Sequence, residues 1–208
     1  MNPLRKVCVF YRGGPHPALP ALPGALRQKG VVLSHQQLTS AAAPYDGALE
    51  WWFADVVPPE AARTALATQL ADVHIVGYYR GLEHLIMPAT AHAQAQGFMK
   101  SVFTFRHNPA MSFAEFSRYW REEHAPIVPR TPHLAGYAQI HLDTQCTYSA
   151  SAPEFSAVTE LYWSDHAALK AGMNSREMTQ EQSRDAEVFA DRDSIRMAVV
   201  EPAQGVPL

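Results

Sequence analysis

Cysteine is scarce. Cys8 and Cys146 are the only two in 208 residues, and each lies in a strand-like run. A pair so sparse reads as small buried hydrophobes in a reducing compartment, not as a disulfide framework or a catalytic thiol. Positive charge is also thin: 17 Lys and Arg stand against 20 Asp and Glu, for a net charge of −3. No Lys/Arg cluster forms the basic stripe that a nucleic-acid partner requires. No apolar run approaches the roughly 20 residues that span a bilayer. The segment Met1 to Lys6 lacks the apolar stretch and cleavage site of a signal peptide, so a cytoplasmic protein is expected. Ten histidines are present, but none falls in a His-x-x-x-His or Cys/His cluster at ligand spacing, so no metal is expected. Phosphate loops, dinucleotide fingerprints and the Gly-x-Ser-x-Gly elbow of hydrolases are missing as well. The expectation is a protein without a cofactor.

What the chain does have is 47% hydrophobic residues, enough for a sizeable core, and 16 prolines with 11 glycines to punctuate it. In the first half, Val7 to Arg12 reads as a strand and Leu22 to Lys29 as a helix stopped by Gly30. Val31 to Leu38 and Leu49 to Val57 read as strands. Pro59 to Ala71 has helical periodicity, and Val73 to Tyr79 closes as a fourth strand. The stretch from Pro88 to Gly97 reads as a linker, which divides the chain into units 1–88 and 98–208. The second half repeats the order. Phe98 to Arg106 is a strand, and Ser112 with Glu115 forms a capping-box pattern. The helix that follows runs to about His124 or Ile127. Strands are read at Tyr137 to Thr144, Phe155 to Trp163 and Ser194 to Val200. Between the last two lie helical segments broken near Gly172 and Asn174. Arg12 and Arg106, His35 and His141, and Glu50 and Glu160 recur at matching places. The fold class is α+β: two ferredoxin-like βαββαβ repeats whose antiparallel sheets pack face to face in one chain. Burial requires pairing of charge, so an Arg–Glu bridge across the sheets is expected, with His141 and His35 at the interface.

The most informative stretch is Phe103-Thr104-Phe105-Arg106-His107-Asn108-Pro109, followed by Phe116, Tyr119-Trp120, His124-Ala125-Pro126 and Tyr137-Ala138-Gln139-Ile140-His141. It resembles the EthD family of the dimeric α/β-barrel superfamily. The resemblance covers about half the chain, and the first half lacks the Tyr-Trp-x-x-x-His signature, so the site is expected in the second half. The resemblance implies relatives that isomerise, cyclise, dehydrate or decarboxylate small aromatic and polyketide-like molecules. It also implies others that bind haem or oxidise phenolics without a metal.

Phe113, Phe116, Trp120 and His124 share one helical stripe, and Phe103 and Phe105 one strand face. Together they suggest an aromatic-walled space with an imidazole at one end, suited to a flat substrate with a polar group. The reading that competes is plain core for the aromatics, with His124 bonding backbone carbonyls at the helix end. An imidazole titrates near neutral pH, so His124 is the candidate general acid or base. Tyr119, Tyr137 and His166 are candidates to stabilise a developing oxyanion. Phe103, Phe105, Phe116, Trp120 and His141 are the candidate substrate-binding residues. Three functions follow. The first is a cofactor-independent isomerase, cyclase, dehydratase or decarboxylase acting on a small aromatic or polyketide-like carbonyl compound. The second is a non-catalytic accessory or binding protein serving an oxygenase. The third is a haem-binding barrel. The expected partner is a small aromatic or ring-forming substrate, and a homodimer stays open.

Overall fold

A computed structural model describes residues 3–13, 17, 22, 24–34, 37–38, 45–54, 68, 70–142 and 155–203. Among these residues eight strands run in the order β1 (Leu4–Arg12), β2 (Arg27–Leu33), β3 (Gly47–Phe53), β4 (His74–Leu85), β5 (Met99–Phe105), β6 (Leu134–Leu142), β7 (Ala157–Trp163) and β8 (Arg196–Pro202). They close a barrel with the neighbour order β1-β3-β2-β8-β5-β7-β6-β4, every pair antiparallel. Each half contributes the same arrangement, β4-β1-β3-β2 and β8-β5-β7-β6. The halves are hydrogen-bonded to each other through β2–β8 and β4–β6, so their inner faces meet across the barrel and no strand edge stays open there.

Helix α1 (Thr90–Gln96) connects the halves, with Gly97 in the left-handed conformation (φ 74°) as its C-terminal stop. The Pro88–Gly97 segment is therefore not a bare linker. Helix α2 (Phe113–Tyr119) starts from the Ser112–Glu115 capping box and continues as a π-helical turn, Trp120–His124. Helix α3 (His166–Met173) is capped by Asp165, whose side chain accepts from the Ala168 amide. A second π-helical segment, Glu177–Gln182, leads into α4 (Ser183–Phe189).

Two expectations are corrected. Leu22 to Lys29 is not a helix: Arg27–Leu33 is extended, and Gly30 pairs with Leu49 within β2 instead of stopping a helix. Pairing to β3 on one side and β8 on the other outweighs the local glycine signal. The cross-sheet bridge is not made by arginine, since Arg106 is half-exposed and pairs with Asp191. The break expected near Gly172 and Asn174 is present: α3 ends at Met173, with Asn174 as its C-cap. The expected Pro59–Ala71 helix falls almost wholly, and His35 and Cys146 wholly, outside the described residues.

The cations inside the barrel are lysines. The chain's lysines are Lys6, Lys29, Lys100 and Lys170, and the first three are buried. Lys6 reaches Glu160 at 2.6 Å and Glu50 at 2.9 Å. Lys100 reaches Glu50 at 2.7 Å and Glu160 at 2.8 Å. The quartet thus crosses between halves, each lysine bonding the carboxylates of both. Burial opposes ionisation of Glu160, but the Lys100 and Lys6 ammoniums outweigh it and hold that carboxyl well below its usual range. Around the quartet, Phe10, Val31, Tyr79, Val102, Ile140 and Val158 fill the barrel. The remaining void is about 10 Å³, room for a single water at most. Among the described residues the barrel interior is a packed core.

Candidate functional site

The usable space lies outside the barrel, between the outer face of β5 and β7 and the helices of the second half. It is a cavity of about 320 Å³, within the range of small-molecule sites. Phe103 and Phe105 reach it from β5, and Thr159 and Leu161 from β7. Trp120 and His124 come from the first π-turn, Met178, Thr179 and Gln182 from the second, and Ser183, Ala186 and Phe189 from α4. Phe105 meets Trp120 edge to face at 5.4 Å and Phe189 at 5.9 Å, so the walls are largely aromatic. Thr179 and Arg192 are exposed at its rim, whereas His124 and Gln182 are buried.

The polar chemistry centres on Asp185 of α4. His124 Nδ1 lies 2.7 Å from its Oδ2, and the Tyr119 hydroxyl donates to its Oδ1 at 2.9 Å. The hydrogen bond to His124 lowers the Asp185 carboxyl from its usual value; burial opposes this, and the bond from Tyr119 adds to it. An ionised carboxylate only accepts, so the imidazole must carry its proton on Nδ1. His124 Nε2 makes no hydrogen bond among the described residues, and its ring stands 4.7 Å from Phe189 at the cavity wall. Burial, then the Asp185 contact, pushes the Tyr119 phenol up to about 12, so it stays a proton donor. A histidine oriented by a carboxylate, with its second nitrogen free, is the arrangement of a general base.

The other sequence-derived candidates take different places. Phe103, Phe105 and Trp120 line the cavity. Phe116 stacks behind Trp120 at 5.4 Å. His141 also stacks on Trp120, at 4.6 Å, and bonds Ser117 and Gln139. It faces the helices, not the interface between the sheets, because Ile140 and Leu142 are the β6 residues that face the barrel core. Burial, then the His84 and Arg121 charges, pushes His141 down to about 3. Tyr137 is fully buried, accepts from Gln139 and does not reach the cavity. His166 opens α3 away from the cavity wall, its Nε2 buried without a hydrogen-bond partner among the described residues. Sequence reasoning missed Asp185 and Gln182. Their signal was the spacing of Gln182, Asp185, Ala186 and Phe189, one helical face polar at its start and aromatic at its end.

The family model of the EthD domain matches residues 108–193, a span that includes His124, Gln182 and Asp185. No curated protein sequence matches the chain. Among solved structures, an anthrone oxidase-like protein superposes with a TM-score of 0.61 at 9% identity, covering 100% of this chain and 96% of the other. A mutant chlorite dismutase from Candidatus Nitrospira defluvii superposes with a TM-score of 0.58 at 9% identity, covering 96% and 91%. An ethyl tert-butyl ether D family protein from Bacillus halodurans, 19% identical, matches 53% of this chain with 99% of its own at a TM-score of 0.40. The two full-length likenesses are likenesses of fold. No helix among the described residues is long and apolar enough to cross a membrane. Residues 108–193 thus resemble an EthD domain, set in the second half of a chain that shares its fold with the anthrone oxidase-like and chlorite dismutase structures.

Proposed function

We propose that the chain is an acid–base enzyme that moves a proton on a small aromatic or polyketide-like carbonyl compound held in the second-half cavity. The observation that carries this reading is the His124–Asp185 pair, whose free Nε2 stands at an aromatic-walled cavity. His124 Nε2 would take a proton from an acidic carbon conjugated with the substrate carbonyl (in anthrone, the CH2 across the ring), the electron pair moving through the ring to that oxygen. The protonated imidazole is stabilised by the Asp185 carboxylate. The same proton, returned elsewhere, gives an isomerisation; coupled to bond formation or loss of water, it gives cyclisation or dehydration; in a decarboxylation the imidazolium instead supplies the proton to the carbon that loses carbon dioxide. The anthrone oxidase-like neighbour supports a polycyclic aromatic ketone as the substrate type. The test is deuterium uptake from heavy water into anthrone, followed by mass spectrometry. His124→Gln should slow the catalysed exchange by roughly 10²–10⁴-fold. Equal exchange by both proteins would sink the assignment.

The same pair also suits a second reading. A histidine whose Nδ1–H is held by a carboxylate is a good iron ligand, and His124, with Asp185 behind it, would be the residue to hold a haem. Haem would then supply redox chemistry. Titration with haemin decides: a Soret shift in the wild type that is lost in His124→Gln favours this reading, and an unchanged spectrum removes it.

A further inference from the structure

Both helical layers over the cavity depart from α-geometry at the residues that deliver polar groups to it. The Ala125 amide donates to the Trp120 carbonyl, and the Ser183 amide to the Met178 carbonyl, each five residues back. π-helical turns are rare, and they cluster at functional sites. One turn ends on His124 and the other on Gln182, the two buried polar side chains of the cavity wall. Gln182 is 6% exposed. One end of its amide is held by the Thr131 hydroxyl, and the other makes no hydrogen bond among the described residues. Whichever end Thr131 holds, the remaining one is offered to a ligand. The free end is not among the fully buried unpartnered atoms of the described residues, so it keeps contact with solvent, and a ligand hydroxyl would replace water there.

We propose that Gln182 is a substrate-orienting residue and that the substrate is an aromatic compound carrying two oxygen substituents, the carbonyl conjugated with the carbon that His124 deprotonates and a second one held by Gln182. The inference rests on the cavity reading above and adds the second oxygen to it. The walls account for the flat ring: Phe105, Trp120 and Phe189 offer faces and edges but no hydrogen bond. Thr131 keeps the amide from rotating, so the second oxygen is read by position as well as by polarity. A site built to hydrogen-bond a hydroxyl discriminates strongly against the analogue lacking it.

The probes are naphthol and the isomeric naphthalenediols, titrated calorimetrically into the whole chain. At least one diol should bind about tenfold more tightly than naphthol. In Gln182→Met that preference should vanish while naphthol affinity holds. Thr131→Val, which keeps the amide but frees it, should reduce the preference and serves if Gln182→Met does not fold. An undiminished preference in the folded variant overturns the role of Gln182 and leaves the cavity reading standing. Failure of the wild type to bind either naphthol or any diol overturns both. His124→Gln separates the two ideas further: it should weaken naphthol and diol alike, without changing their ratio.

Discussion

His124 on the first π-turn and Asp185 on α4 are 61 residues apart in sequence and 2.7 Å apart in space. The contact fixes the imidazole tautomer and gives a charged partner to any imidazolium that forms. Asp185→Asn keeps the shape and a hydrogen-bonding group but removes that charge. Turnover in the exchange assay should fall on the order of 10²-fold, with thermal stability nearly unchanged. Wild-type rates in the variant would mean that the pair is structural.

Tyr119 meets the same carboxylate from the other side. Tyr119→Phe removes one hydrogen bond and leaves Asp185 bonded to His124. The expected loss is about 0.5–1.5 kcal/mol of stability, measured by urea unfolding. The exchange rate should drop much less than in Asp185→Asn. A larger kinetic loss in Tyr119→Phe would place the phenol at the substrate instead of behind it.

The barrel was legible because Pro and Gly cut the chain between β-rich runs, and because the capping box at Ser112 starts α2 where it should. The first-half helix at Leu22–Lys29 was misread because nothing local reports that β2 finds β8 from the other half. The interior ions were misassigned for a related reason. Lys6 and Lys100 sit in ordinary alternating positions near the starts of their strands. Only the closed barrel turns both toward Glu50 and Glu160, while Arg12 and Arg106 end strands at the surface. The aromatic wall could be read from one helix and one strand. Asp185 and Gln182 could not, since their meaning depends on which helix packs across the cavity.

His141 gives the fold a pH dependence. Unfolded, an imidazole titrates near 6.5; folded, His141 titrates at about 3, chiefly because it is buried. Between these values the unfolded chain binds more protons, so stability rises with pH and is lost as the pH falls below about 6.5. The slope from this residue is about 1.4 kcal/mol per pH unit. His141→Asn should flatten the difference between urea midpoints taken at about pH 5 and about pH 7. A variant as pH-sensitive as the wild type would assign the effect to other groups.

Gly172 serves packing. A Cβ there would run into the Trp163 ring and lie 2.8 Å from the Pro132 carbonyl oxygen. Alanine is the better helix former, and on propensity alone Gly172→Ala should stabilise α3. Overpacking reverses the sign: a loss of about 1–3 kcal/mol is expected in urea unfolding. A gain in stability would show that α3 can slide away from β7.

The Lys–Glu quartet predicts a non-additive result. Glu160→Leu leaves Lys6 and Lys100 sharing Glu50 in a dry interior, with only the more distant Glu83, 3.8 Å from Lys6, to help, and an undercompensated buried charge costs about 3–5 kcal/mol. Removing Lys6 as well, in Lys6→Met with Glu160→Leu, leaves the Lys100–Glu50 pair, whose bonds at 2.7 and 2.8 Å are already formed. The double variant should therefore recover much of the loss, because an apolar pair of similar volume stands in for an ion pair at little net cost. Urea unfolding of the two singles and the double gives the coupling directly. If the double variant is as unstable as the sum of the singles, the four charges act independently, and the quartet would not be the contact that locks the two halves together.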